Sequence, residues 1–365
     1  MMKAELLEVL QRYLKMLVIP VAMYSVYKLC SFLLPGPHHH SKLTYANKTV
    51  LITGASSGER PWSCFGVPAL QKGAKVIATA RSIDKLKELC EDLKRSYSGN
   101  PYEPMYSYLD ICEPMNVESL KNLAIDGKTI HVLINNAGLS MRGSIQDTSI
   151  NVYSYLDICE PMNVESLKNL AIDGKTIHVL INNAGLSMRG SIQDTSINVY
   201  RQIMDVNFFG HVVVTQKLLD AIPDDGCIIA ISSVQGKLSI PYRSAYSASK
   251  HAFQAFFDAL RCENRPNLHI LTVSAGYMNT GFGTRALDVQ GRPLGKDDAN
   301  QLKGLSPETA ACEILRAASA RETELIMAPL SNKLAIFLRW AWPTLLFYIL
   351  HGRGLKDDYI TSRAR

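Results

Sequence analysis

Residues 48–58 read KTVLITGASSG, and this stretch decides the fold. Val50, Leu51, Ile52 and Thr53 make a short uncharged, β-branched run, the pattern of a strand buried on both faces. It ends in a turn of small residues, Gly54, Ala55, Ser56, Ser57 and Gly58, where backbone N–H groups can approach an anion closely. A second strand, KVIATARS, follows at residues 75–82, and a later apolar run, VLINNAG, ends in Asn-Asn-Ala-Gly. Strands of this kind alternating with helical stretches imply an α/β chain with a parallel sheet.

Further along, ISSVQGKLSIPYRSAYSASK spans residues 231–250 and carries Ser233, Tyr246 and Lys250. Tyrosine and lysine four apart lie on one helix face. A phenol with a pKa near 10 is a poor acid or base at neutral pH. A neighbouring ammonium favours the phenolate, so Lys250 is expected to lower the Tyr246 pKa. A serine hydroxyl beside them can hold a substrate oxygen. DVNFFG places Asn207 inside a helical stretch.

Taken together, the Thr-Gly-x-x-x-Gly turn (residues 53–58), the Asn-Asn-Ala-Gly strand end, Asn207, Ser233 and the Tyr-x-x-x-Lys pair resemble the short-chain dehydrogenase/reductase family. Within it, residues 230–263 look most like the membrane-associated member-seven group. The resemblance covers about residues 48–330 and implies a Rossmann-type, doubly wound parallel sheet. It also implies an oxidoreductase with Asn207, Ser233, Tyr246 and Lys250 as catalytic residues. Cofactor contacts are expected from Gly54, Ser56, Ser57, Gly58, Arg81, Asp157, Asn183, Ala184, Gly185, Tyr246, Lys250 and Thr280. In relatives the helices equivalent to those of Asn207 and Tyr246 form a dimer face, which leaves a homodimer open.

The chain has 365 residues and a net charge of +6, room for one large α/β domain with extensions. Its basic residues are scattered, without an Arg/Lys stripe interleaved with aromatics, so nucleic acid is not an expected partner. Eight cysteines, none in a Cys-x-x-Cys pair, read as free thiols. His38, His39 and His40 sit in a Pro-Gly linker and are read as solvated, so no metal is expected. Residues 13–34 carry an apolar core flanked by Lys15 and Lys28, long enough with snorkelling lysines for a membrane anchor. Residues 334–350 are apolar too, interrupted by Arg339 and Pro343, and are expected to lie on a membrane near the substrate mouth. This divides the chain into an anchor and linker (1–45), a Rossmann domain (46–330) and a C-terminal membrane-associated segment (331–365). The localisation expected is a membrane, that of the endoplasmic reticulum.

Residues 106–152 recur without one difference as 153–199. The unit holds one strand, one helix and a further strand with its Asn-Asn-Ala-Gly end. A doubly wound sheet has one central slot for that further strand, so one copy is expected to be extruded or to extend the sheet at an edge. The second copy runs directly into the helix of Asn207, so residues 182–185 are assigned to the site and 135–138 to the spare. By the family resemblance, Asp157 (or its twin Asp110) is expected to contact the adenine. Two departures touch the cofactor. Arg60 stands where the family has a third glycine, and Pro61 and Pro68 follow, which disturbs the helix start that should face the phosphates. Ala275 replaces the usual proline before Gly276.

At the end of the second strand Ala80 and Arg81 leave no acid for a ribose hydroxyl, and Arg81 can meet a 2′-phosphate. NADP(H) is therefore expected over NAD(H). The Gly-rich polar segment 277–305 reads as a mobile lid over a hydrophobic lipid-, steroid- or retinoid-like substrate. The alternative is a catalytically inactive homologue acting as a membrane-bound interaction protein.

Overall fold

The computed structural model describes residues 22–24, 46–55, 69–80, 82–96, 99, 101–108, 131–135, 177–280, 282–295 and 299–363. Residues 1–41 form a unit of their own, of which 22–24 are helical. The expected anchor over 13–34 otherwise lies outside the described residues. Among those described, no helix is long and apolar enough to cross a membrane.

Residues 42–365 form one compact unit built on a single sheet. Its strands are β1 (Thr49–Ile52), β2 (Lys75–Ala80), β3 (Met105–Tyr108), β4 (Val132–Asn135), β5 (Val179–Asn182), β6 (Cys227–Ser233), β7 (His269–Ala275) and β8 (Glu324–Met327). They lie in the order β3-β2-β1-β4-β5-β6-β7-β8, all pairs parallel. The reversal of order beside β1 is the mark of a doubly wound sheet.

Successive strand residues face opposite layers. Val50, Ile52, Val132, Ile134, Val179 and Ile181 pack on one face with helices α1 (Ile83–Ser96) and α6 (Pro307–Ser319), through Leu86, Leu93, Ile314 and Leu315. Leu51, Leu133 and Leu180 pack on the other with α3 (Gly210–Leu218) and α4 (Ser244–Arg261), through Val214, Leu218, Phe253 and Phe257. Between these helices run α2 (Ile197–Met204), which leads through a π-helical turn, Asp205–Phe209, into α3, and the short α5 (Ala299–Leu302). The chain closes with α7 (Leu330–Ala341) and α8 (Pro343–Arg363).

The expectation that one copy of the repeat is extruded or pushed to an edge does not hold. The first copy supplies β4, the second β5, and both lie in the interior of the sheet, side by side. Val132 pairs with Val179, Leu133 with Leu180, Ile134 with Ile181 and Asn135 with Asn182. The reason is that an all-apolar VLI strand is suited on both faces to burial and on both edges to parallel pairing. β1 accepts the first copy, and the first copy in turn templates its twin. Just below, His131 and His178, again the same position in each unit, stack with ring centroids 5.7 Å apart.

The copies also bear on the choice between Asp110 and Asp157. The strand beside β2 is β3, so the aspartate that follows it in the chain is Asp110 rather than Asp157, which falls between β4 and β5. Both aspartates lie outside the described residues.

Candidate active site

α4 places its residues as the spacing predicts. Tyr246, Lys250, Phe253 and Phe257, at intervals of four, three and four, form its buried stripe. Tyr246 is 7% exposed and Lys250 3%, so this is not a solvated face. Ser233 ends β6 beneath them. Its hydroxyl accepts from Gln235 N (3.2 Å), donates to Ala275 O (3.3 Å) and hydrogen-bonds the Tyr246 phenol. The turn after β6 is held against α4 by Gly236. A Cβ there would stand 2.4 Å from Gln254 Nε2 and 2.8 Å from the Lys250 carbonyl. Gln254 Nε2 in turn donates to Ser232 Oγ (2.9 Å) and Ser233 O (3.2 Å).

Asn207 sits in the π-helical turn, fully buried. Its Oδ1 accepts from Leu186 N (2.7 Å), and its Nδ2 donates to Leu186 O (2.8 Å) and Ser249 Oγ (2.9 Å). It therefore clamps the loop that follows β5. That loop carries Asn183, Ala184 and Gly185, and His211 Nε2 donates to the Ala184 carbonyl (2.8 Å). Burial first, then the charge of Lys250, press the His211 pKa down to about 3, so its ring is neutral.

These groups surround a cavity of about 280 Å³. Residues 183–185, Ser233, Tyr246, Lys250 and Thr280 line it, so the structure brings together every catalytic candidate except Asn207, which stands behind as the clamp, and the cofactor candidates of the second half. Gly185 is closely surrounded, with the position of a Cβ 3.6 Å from Asn207 Oδ1, 3.7 Å from Lys250 Nζ and 3.9 Å from Phe282 Cε2. Leu238, Ile240, Met278, Phe282 and Leu350 supply apolar wall. Gly54 ends β1 with φ +65°, a conformation glycine adopts without strain. Ser56, Ser57, Gly58, Arg60 and Arg81 lie outside the described residues. The expected lid is tied down where described, with bridges joining Met278 to Leu305 and Met188 to Leu287.

The electrostatics correct one expectation. Burial pushes the Tyr246 pKa up, and the groups opposing it are Ser233 through its hydrogen bond and Arg189 and Arg243 through charge. Lys250 Nζ donates to Ile231 O (3.1 Å), and burial brings its own pKa down to about 8. Sequence reading missed both arginines. Arg189 follows the Asn-Asn-Ala-Gly end and is held by Ser187 Oγ (2.7 Å) and Met188 O (2.9 Å). Arg243 is aimed by Tyr242, a non-glycine residue at φ +59° whose carbonyl accepts from Gly190 N. No motif marks them. Arg189 has an identical twin, Arg142, in the first copy, and only the tertiary fold says which enters the cavity.

A sequence pattern described as short chain dehydrogenase matches residues 48–158 and again 153–288, restarting where the repeat does. The chain is 44% identical to dehydrogenase/reductase SDR family member 7B of Danio rerio, covering 85% of this chain and 87% of that protein. It is 33% identical to the protein of that name from Xenopus laevis, covering 93% and 90%. Among solved structures, a short chain dehydrogenase of Burkholderia cenocepacia in complex with NADP matches with a TM-score of 0.53 at 19% identity, covering 86% of this chain and 99% of that one. A relative from Burkholderia phymatum in complex with NAD gives 0.53 at 18%, covering 81% and 94%. At these identities the likeness speaks for the fold. With the Ser-Tyr-Lys constellation assembled on a doubly wound sheet, this chain belongs to the short-chain dehydrogenase/reductase family.

Proposed function

We propose that the protein is a membrane-attached, NADP(H)-dependent oxidoreductase that interconverts a carbonyl and an alcohol on a hydrophobic substrate. The observation that carries this reading is the convergence of Ser233, Tyr246 and Lys250 with residues 183–185 on one cavity with an apolar wall. A nicotinamide bound there would supply or accept the hydride. The residues at that end fit it: residues 183–185, Lys250 and Thr280 line the same cavity, and Gly185 carries no side chain between the backbone and Lys250 Nζ.

The chain's own groups handle the proton. A raised pKa keeps Tyr246 protonated at neutral pH, the form that gives its phenolic proton to a carbonyl oxygen during reduction. Ser233 holds that oxygen and donates to it as charge develops. Arg189 and Arg243 stabilise the phenolate left behind. Lys250 remains mostly charged at pH 7 and stands next to Gly185, where a ribose hydroxyl would come. Tyr246→Phe should lower kcat by roughly 10²–10⁴-fold in an NADPH-oxidation assay over a panel of apolar ketones while NADPH affinity stays the same. Unchanged turnover would sink the mechanism.

The preference for NADP(H) rests on Arg81 and on Ala80, which ends β2 without an acid. Solved relatives with NADP and with NAD leave this to experiment. Measured as binding in calorimetric titrations, Arg81→Asp should shift preference from NADPH toward NADH by about tenfold or more, as expected for losing a charge-assisted contact of about 1.5–3 kcal/mol. No shift would remove Arg81 from the argument.

Membrane attachment is supported by α7 and α8. Leu330, Leu334, Phe337, Trp340, Trp342 and Tyr348 are all exposed, and the same helices reach the cavity through Ala335 and Leu350. A substrate arriving from lipid would meet this mouth first. Flotation with liposomes, and a fluorescent fusion imaged against an endoplasmic-reticulum marker, test attachment and place. Exposed Ile197 and Phe209, at the two ends of the α2 and π-helical stretch, suit the homodimer reading, which sedimentation decides. The alternative reading, an inactive membrane-bound interaction protein, is favoured by one observation: β4 lies between the glycine turn and the rest of the site.

A further inference from the structure

In a doubly wound sheet the dinucleotide crosses the strand ends at the point where the order reverses, with its pyrophosphate at the turn after the first strand. Here that turn follows β1, which pairs with β2 on one side and with β4 on the other. The strand that leads to residues 183–185 is β5, on the far side of β4. Neighbouring strands lie about 4.8 Å apart. β5 thus stands two spacings, roughly 10 Å, from β1 instead of one. Ser233 on β6 is a further spacing away.

No slip in register compensates. Ile52, Ile134, Ile181 and Ile229 stand level across β1, β4, β5 and β6. The cavity agrees with this geometry. Its described lining begins at Asn183, and neither Thr53, Gly54 and Ala55 at the end of β1 nor Ala80 at the end of β2 reaches it.

We infer that the second copy of the unit widens the cleft by one strand and uncouples the phosphate turn of β1 from the reaction pocket, so that this chain holds a nicotinamide dinucleotide by one end at a time. The inference rests on the reading of that pocket as the nicotinamide end. The dinucleotide has a fixed covalent reach, and two subsites that cannot be occupied together lose the gain of linkage, which is commonly 10²–10⁴-fold.

The perfect identity of the copies gives a clean test, because deleting residues 106–152 or 153–199 yields one and the same protein. Binding of NADPH, of nicotinamide mononucleotide and of 2′-phospho-ADP-ribose is measured by calorimetry on the full chain and on the excised chain, with circular dichroism and thermal melting to verify folding. The full chain should bind NADPH no more than about tenfold tighter than its better half. The excised chain should bind NADPH roughly 10²–10⁴-fold tighter than the full chain does. Equal NADPH affinity in two folded chains overturns the inference alone. A folded excised chain that binds neither nicotinamide mononucleotide nor NADPH overturns the reading of the pocket, and the inference with it. Should the excised chain fail to fold, the full chain decides by itself: NADPH bound more than 100-fold tighter than both halves means that the cleft is bridged, and the inference falls.

Discussion

The two halves of the sheet are built differently. From β5 to β8 the strands are backed by a polar network on the helices packed against them. β6 and β7 pair over seven residues, from Cys227 opposite His269 to Ser233 opposite Ala275. Asn207, His211, Ser249 and Gln254 spend their side chains on backbone and hydroxyl partners behind the cavity. From β3 to β4 the strands are mostly four residues long, and β1 meets β4 over three pairs. The proton-handling residues come from nearby stretches of chain, residues 231–254 above all, so a change elsewhere in the sequence leaves them together. The dinucleotide grip needs two remote segments on adjoining strands, and one inserted strand separates them. Local sites survive duplication, whereas sites assembled across strands do not.

The twin leucines probe this difference most directly. Leu133 on β4 and Leu180 on β5 are both buried in the same layer. If the first copy is as integrated as the second, Leu133→Ala and Leu180→Ala should each cost about 2–5 kcal/mol in urea unfolding. A Leu133→Ala cost under about 0.5 kcal/mol, with Leu180→Ala costly, would mean that β4 is dispensable. A smaller effect tests the densely packed half. Gly236→Ala should cost about 1–3 kcal/mol, because the new methyl has to displace Gln254 or the backbone of α4. A neutral outcome would show that this turn has slack. The smallest effect is a pH slope. Burial holds the Lys250 pKa near 8 in the folded chain against 10.5 for the free group. Between pH 8 and 10 the unfolded chain therefore binds more protons, and stability should rise with pH by up to about 1.4 kcal/mol per unit. Above pH 10 the raised Tyr246 pKa acts in the opposite sense. Lys250→Met should flatten the rise, and thermal melting across this range checks it.

Much of this was legible in the sequence. The apolar runs at 50–53, 75–80 and 179–182 announced parallel strands, and the four-residue spacing of Tyr246 and Lys250 announced a shared face. Residues 183–185 line the cavity and Asn207 clamps their loop, since chain continuity alone joins them, whereas Asn182 lies buried behind the cavity and donates to Thr215 Oγ1. Two things were not legible. Whether a strand is admitted to a sheet depends on its neighbours' edges, and VLIN at 132–135 reads the same admitted or extruded. The direction of the Tyr246 shift depends on desolvation, which a spacing cannot express, and it overruled the expected pull from Lys250.

The π-helical turn at Asp205–Phe209 has a consequence for the helix pair it joins. An α-helix advances about 100° per residue, and a wider turn inserted within it acts as a phase shift. Before the turn, Val199 and Ile203 face the cluster around Tyr246 and Leu287. After it, Val214 and Leu218 face the layer of Phe253 and Phe257 under the sheet. One rod thus meshes with two separate cores, and Asn207 stands at the gear change. Adding or removing a single residue there would put one of the two cores out of mesh.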